Sequence, residues 1–280
     1  MLVAIQPSLE RAQGACELVL SGRSGQTRLA HLYQHDPCRI LFPRVDPGEL
    51  TTAIVANTSG GLAGGDRLRV DIKVEDGGQA VVTGQSAEKV YRSLGPATEL
   101  TVDLAVADGG WLEYLPQETI LFDGARLART TEIAVDRDAR FMAGDIVVQG
   151  RTARGERFDR GAFHDRWTLR IDGRLVWADA LGLSGDIPAL RRHPAGFGGA
   201  IAHATLLYAA PDAAERLAFL RDLIEESGVR GGATRIGPVL IARLLADETA
   251  PLRRTVARLW SALRAKAAGL PGTVPRVWQV

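Results

Sequence analysis

The chain has only two cysteines, Cys16 and Cys38, among 280 residues. Neither belongs to a CxxC pair, which excludes a disulfide scaffold, and a reducing compartment is the simpler setting. An excess of charge is also missing: 34 basic residues face 33 acidic ones, for a net charge of +1. No global field draws such a chain to nucleic acid or to an anionic membrane. No apolar run approaches the roughly 18 residues of a membrane helix. The opening "MLVAIQPSLERAQG" has no basic leader and no long apolar core. The expectation is a cytoplasmic protein that binds neither nucleic acid nor membrane.

What is present is the profile of a globular protein, 46% apolar and 24% charged. Its 31 glycines gather at turns, which favours many short strands.

The stretch "NTSGGLAGGDRLRVDIKVED" poses the first functional question. A phosphate-binding glycine loop needs a helix start directly behind it, so that free N–H groups face the anion. Here Leu68, Val70, Ile72 and Val74 alternate with polar residues, which is a half-buried strand. No GK[ST] or GxGxxG follows. Gly60, Gly61, Gly64 and Gly65 instead predict a closely packed bend, with Asp66 capping it through nearby N–H groups.

Three similar units start at Val70, Val102 and Thr131, recurring roughly every 30 residues. Each has an alternating strand, a polar turn and a second apolar strand, and each reads as a hairpin. "LRIDGRLVW" is a tighter fourth version on Asp172-Gly173. The segment from Cys16 to Pro43 offers one or two strands and "LTTAIVANTS" another, and after "GLSGDIPALRRHPAGFGGA" the β texture continues through "IAHATLLYAA". Then "PDAAERLAFLRDLIEESG" carries Leu217, Leu220, Leu223 and Ile224 at helical spacing, with Asp212 and Glu215 as a capping-box-like start and Gly228 as its end. "VRGGATRIGPVLIARLLAD" is a strand pair. A second helix has Pro251 in its first turn, an apolar stripe of Leu252, Val256, Leu259 and Leu263, and Gly269 after it. The predicted fold is mainly β, with stacked hairpin or solenoid-like sheets and two C-terminal helices. We expect one domain over 1–280, β-rich over 1–210 and helix-containing over 211–280.

Catalytic signatures are few. His31 and His35 lie four apart on a predicted strand, which does not make a metal pair. Asp66, Glu88, Glu113, Glu118, Asp123, Asp145 and Glu156 stand in conspicuous segments. Capped turns and solvated faces explain most such acids; the sharper reading is a polar path for a divalent cation, for which Asp66, Glu113, Asp145 and Glu156 are the candidates. Lys89, Tyr91 and Arg92 offer a partner surface, joined by Trp278 and by Arg254 and Arg258 of the basic last helix, whose polar positions around the apolar stripe also include Arg253, Arg264 and Lys266. In "GRTARGERF" the arginines Arg151, Arg154 and Arg157 with Glu156 predict a charge-paired turn, with Gly150 and Gly155 where the backbone turns tightly. Leu115-Pro116 marks an architectural break. An alternative is a carboxylate-dependent β-solenoid hydrolase using Glu113 and Glu118; a third reading is an interaction module unconnected with metals.

The order of "SGGLAGGDRL", "EKVYRS", "LEYLPQETILFDGARL", "GRTARGERF" and "PRVW" resembles the urease accessory protein family UreD, also called UreH, most closely from Asn57 to Phe158. It departs from that pattern at Gly84 and Glu88. The resemblance implies a scaffold and metallochaperone that catalyses nothing itself. It implies as partners apo-urease, UreF and, through UreF, the GTPase UreG, with Ni2+ bound at most transiently and no tightly held cofactor.

Overall fold

The structure, a computed structural model, describes residues 11–279. The opening on which the no-leader expectation rests lies, up to residue 10, outside the described residues. The strands in chain order are β1 (Gln13–Ser21), β2 (Arg28–His35), β3 (Cys38–Leu41), β4 (Thr51–Asn57), β5 (Arg67–Glu75), β6 (Gln79–Gly84), β7 (Glu88–Val90), β8 (Thr98–Val106) and β9 (Trp111–Leu115). They continue with β10 (Thr119–Leu121), β11 (Arg126–Val135), β12 (Arg140–Gln149), β13 (Ala162–Ile171), β14 (Arg174–Ser184), β15 (Ala202–Ala209), β16 (Arg230–Ile236) and β17 (Val239–Ala246). The helices are α1 (Ile187–Arg192), α2 (Ala213–Ser227) and α3 (Thr249–Ala268).

Two sheets stack face to face, and helices cover one of them. The seven-stranded sheet runs β14-β13-β11-β8-β5-β1-β2; the ten-stranded sheet runs β16-β17-β15-β12-β9-β6-β4-β3, with β10 and β7 attached at β12. One apolar core lies between the sheets, with Leu18, Ile72, Leu104, Phe141 and Phe163. A second lies between the ten-stranded sheet and α2 and α3, with Leu206, Leu220, Leu259 and Trp260. This layering explains the sequence texture. Strand β5 is exposed on one face and alternates, whereas β12 is covered on both and is buried almost throughout.

The mainly β, solenoid-like stacking and the two C-terminal helices are as expected, but the three repeats are not hairpins. In each unit the first strand (β5, β8, β11) belongs to the seven-stranded sheet and the second (β6, β9, β12) to the ten-stranded one. The turn is an arc that carries the chain from sheet to sheet, and successive units pair in parallel. What favours the arc is stacking of one turn on the next: Ala107 N–H donates to the Val74 carbonyl, Trp111 N–H to Gly78, and Arg140 N–H to Gly110, each at 2.9 Å. Of the four similar units, only the one built on Asp172-Gly173 is a true hairpin, with φ of 48° and 73° at its two turn residues.

Three further readings are corrected. The Cys16 to Pro43 segment holds three strands. A third helix, α1, stands inside the part expected to be β-rich, and Asp186 caps it by accepting from Ala189 N–H at 2.9 Å. Asp212 does not cap α2 with its side chain; its carboxylate instead accepts from Tyr208 Oη at 2.6 Å and from Arg216 at 2.8 Å. Gly228 and Gly269 end their helices in the left-handed conformation, as expected.

Candidate interior passage

Between the sheets lies a cavity with about 140 Å3 of free internal volume. Its lining includes Cys38, Asn57, Glu88, Tyr114, Gln117, Thr119, Arg129 and Asp145. At one end Glu88, half-buried, accepts from the Asn57 amide at 3.2 and 3.3 Å. Burial outweighs that hydrogen bond and pushes the Glu88 carboxyl up to about 7. Strand β10 connects this end to the interior, because Thr119 pairs with Glu88 in parallel register.

Deeper in, Arg129 is held between two aspartates. Its guanidinium donates to Asp145 at 2.9 and 2.6 Å and to Asp165 at 2.8 and 2.6 Å, with Thr119 Oγ1 at 3.4 Å. All three charged groups are buried. Burial works against the Arg129 charge, yet the two carboxylates hold its pKa well above the usual value. Burial also pushes Asp145 up despite Arg129, while at Asp165 the guanidinium prevails over burial and the pKa is lowered. Two carboxylates against one guanidinium leave one negative charge in excess, so the cluster favours a proton on Asp145 or another cation beside it.

The glycine motif and "EKVYRS" form one unit at the outer end. Leu62 N–H donates to the Lys89 carbonyl at 2.7 Å, Tyr91 N–H to Leu62 at 2.8 Å, and Tyr91 Oη to the Gly60 carbonyl at 2.9 Å. A Cβ on Gly61 would stand 2.6 Å from the Tyr91 ring, and one on Gly64 2.0 Å from Ser93 Oγ. The close-packed bend is therefore real, and Asp66 caps it by accepting from Ala63 N–H at 2.7 Å and Ala12 N–H at 3.0 Å. Lys89, Tyr91 and Arg92 are exposed beside it.

Of the four acids assigned to a cation path, only Asp145 lines this cavity. Asp66 is committed to the bend. Glu156 is paired with Arg151 and accepts from Asp123 N–H at 3.1 Å, which is the charge-paired turn that was expected. In that turn Arg151 lies 4.3 Å over the Phe122 ring, and Gly150 and Gly155 have φ of 110° and 72°. Glu113 points to the other face of its sheet, fully buried, where it accepts from Trp111 Nε1 at 2.8 Å, Trp260 Nε1 at 2.9 Å and Arg264 Nε at 3.1 Å. Among the described residues no group of three or more His, Cys, Asp or Glu is arranged to hold a metal ion. The hydrolase pair is not assembled either. Glu118 pairs with Arg253 at 2.6 Å and Glu113 with Arg264, and those arginines stand about 16 Å apart along α3.

The partner surface is also redrawn. Trp278 is 5% exposed and donates from Nε1 to Thr83 Oγ1 at 3.1 Å and to the Leu115 carbonyl at 3.3 Å. It is an internal anchor at the Leu115-Pro116 break and offers a partner no surface. Arg264, read as a surface position of the last helix, is buried against Glu113. Arg254 and Arg258 are exposed, and Arg258 pairs with Glu226 of α2.

Sequence reasoning missed Arg129 and Asp165, although a signal was there. Both occupy inward positions of alternating strands, Arg129 in phase with Leu127 and Ile133, Asp165 with Phe163 and Leu169. A charge on the buried phase of a strand requires a partner inside.

The model of the family described as UreD urease accessory protein matches residues 12–279. The chain is 41% identical over 273 residues to the urease accessory protein UreD of Magnetococcus marinus, an alignment covering 96% of this chain and 94% of that one. To the UreD of Methylobacterium sp. strain 4-46 it is 43% identical over 281 residues, with 98% and 96% covered. The chain therefore belongs to the UreD family of urease accessory proteins.

Proposed function

We propose that this chain is a non-catalytic factor of urease maturation. It binds apo-urease and UreF, receives Ni2+ from the GTPase UreG recruited by UreF, and lets the ion pass through the inter-sheet cavity. Ni2+ is cargo here, held transiently. The observation that carries this reading is the cavity running from Glu88 to Asp145, apolar over most of its wall but presenting oxygens of Glu88, Asn57, Thr119 and Asp145, with one uncompensated negative charge at its inner end. Carboxylate, amide and hydroxyl oxygens hold a divalent cation loosely enough to release it. The exposed group Lys89, Tyr91 and Arg92, with Arg254 and Arg258 on α3, forms the docking surface of this proposal.

The test is Asp145→Asn, which keeps one of the two hydrogen bonds from Arg129 and removes the excess charge. In cells whose own copy is deleted, the variant is expected to assemble with urease and the other accessory proteins as the parent does, while the nickel content of purified urease falls several-fold. Full nickel loading with normal assembly would remove the cavity from the reading.

A further inference from the structure

The two cysteines meet. Cys16 is on β1 of the seven-stranded sheet and Cys38 opens β3 of the ten-stranded sheet, and both are free and buried in the inter-sheet core. Gly14 lies two residues before Cys16 on the same inward face of β1. A Cβ on Gly14 would stand 2.9 Å from Cys38 Sγ, so the missing side chain is what lets this sulfur reach β1. There it lies beside the Cys16 thiol in the same core cluster. Cys38 also lines the cavity and is paired in register with Asn57, the residue that holds Glu88 at the mouth. One sulfur therefore lines a cavity that a small solute can enter, and its partner lies beside it in the same core.

We propose that Cys16 and Cys38 form an oxidisable dithiol that peroxide entering the cavity converts to a disulfide between the two sheets. The Cys38 thiolate attacks one peroxide oxygen, the O–O bond breaks, and hydroxide leaves; Cys38 is then a sulfenic acid. The Cys16 sulfur attacks the Cys38 sulfur, the S–O bond breaks, and the departing hydroxide takes the Cys16 proton as water. Two thiols and one hydrogen peroxide become one disulfide and two waters. Cys38 is the sulfur that lines the cavity, and the neighbouring Cys16 thiol lowers its pKa while that of Cys16 is raised, which makes Cys38 the attacking sulfur. The product ties β1 to β3 beside the cavity mouth. This modification site does not depend on the maturation reading.

The purified full-length chain is treated with hydrogen peroxide, alkylated after unfolding, and mapped by mass spectrometry before and after dithiothreitol. Expected are loss of both thiols, a peptide linked through Cys16 and Cys38 within one chain, and full recovery on reduction. In Cys16→Ser, Cys38 is expected to be trapped by dimedone as the sulfenic acid. Two reduced thiols after peroxide, Cys38 sulfonic acid beside a reduced Cys16, or a disulfide between chains would each overturn the proposal. The map of the parent chain decides even if the variant fails to fold.

Discussion

Glu88 gives the clearest quantitative test of the cavity. Its carboxyl ionises near 4.5 in a solvated chain and near 7 in the folded one. Between those values the folded state keeps a proton that the unfolded state has lost, so stability falls as pH rises and the loss is complete only above 7. Below 4.5 both states are protonated and the group costs nothing. A shift of this size corresponds to about 3 kcal/mol, and because the carboxyl is only half-buried, screening by water at the mouth reduces it to about 2 kcal/mol. Glu88→Gln keeps the shape and removes the ionisation. Urea unfolding of parent and variant at pH 5 and pH 8 reads the difference directly. The stability of Glu88→Gln relative to the parent is expected to rise by about 2 kcal/mol from pH 5 to pH 8. Parallel pH profiles, within about 0.5 kcal/mol, would refute the view that this carboxyl is desolvated at the cavity mouth.

Glu113→Ala leaves Arg264 and two indole N–H groups buried without their acceptor and is expected to cost about 4 kcal/mol, read as a lower urea midpoint. Trp278→Ala empties an internal site and is expected to cost about 3 kcal/mol in the same assay, although the residue lies next to the chain end. Gly150→Ala places a Cβ at a φ of 110° and 2.4 Å from the Glu156 carbonyl oxygen; a loss above about 2 kcal/mol is expected. Arg129→Met leaves Asp145 and Asp165 facing each other and is expected to cost about 4 kcal/mol at pH 7, and less at pH 5, where a carboxyl whose pKa is raised takes up a proton.

Much of the fold was legible because strand phase and helix caps are local. The alternation from Leu68 to Val74, the Asp172-Gly173 turn and the glycines after both long helices each stand where their residues require. Hairpin and arc could not be told apart from the sequence of one unit. The turn at Asp76-Gly77 permits either, and what selects the arc is stacking on Val106 to Trp111, a contact with the next repeat. The site was legible to a smaller degree for the same reason. Asp145 was found by its setting, but its meaning depends on Arg129 and Asp165, which come from other strands. Trp278 and Arg264 misled because a terminal tryptophan and a helical arginine usually face water, and only the partners at Leu115 and Glu113 bring them inside.

The two buried acid clusters on either side of the ten-stranded sheet explain why a passage would run on one side and not the other. Glu113, on the helix side, is pushed up by burial as well, but it is enclosed by two indoles and a guanidinium fixed to the protein, so an arriving cation has no space to enter. Asp145, on the cavity side, shares Arg129 with a second aspartate and keeps a charge that only a mobile cation or a proton can balance. Glu88 at the mouth has the same property, since its raised pKa makes a proton easy to exchange near neutrality. An ion that trades for a proton at Glu88 and again at Asp145 gains charge balance at each step without meeting a site that encloses it. Transfer needs that combination of attraction and weak retention, and the proposed passage supplies it with two carboxyls and no metal cage among the described residues.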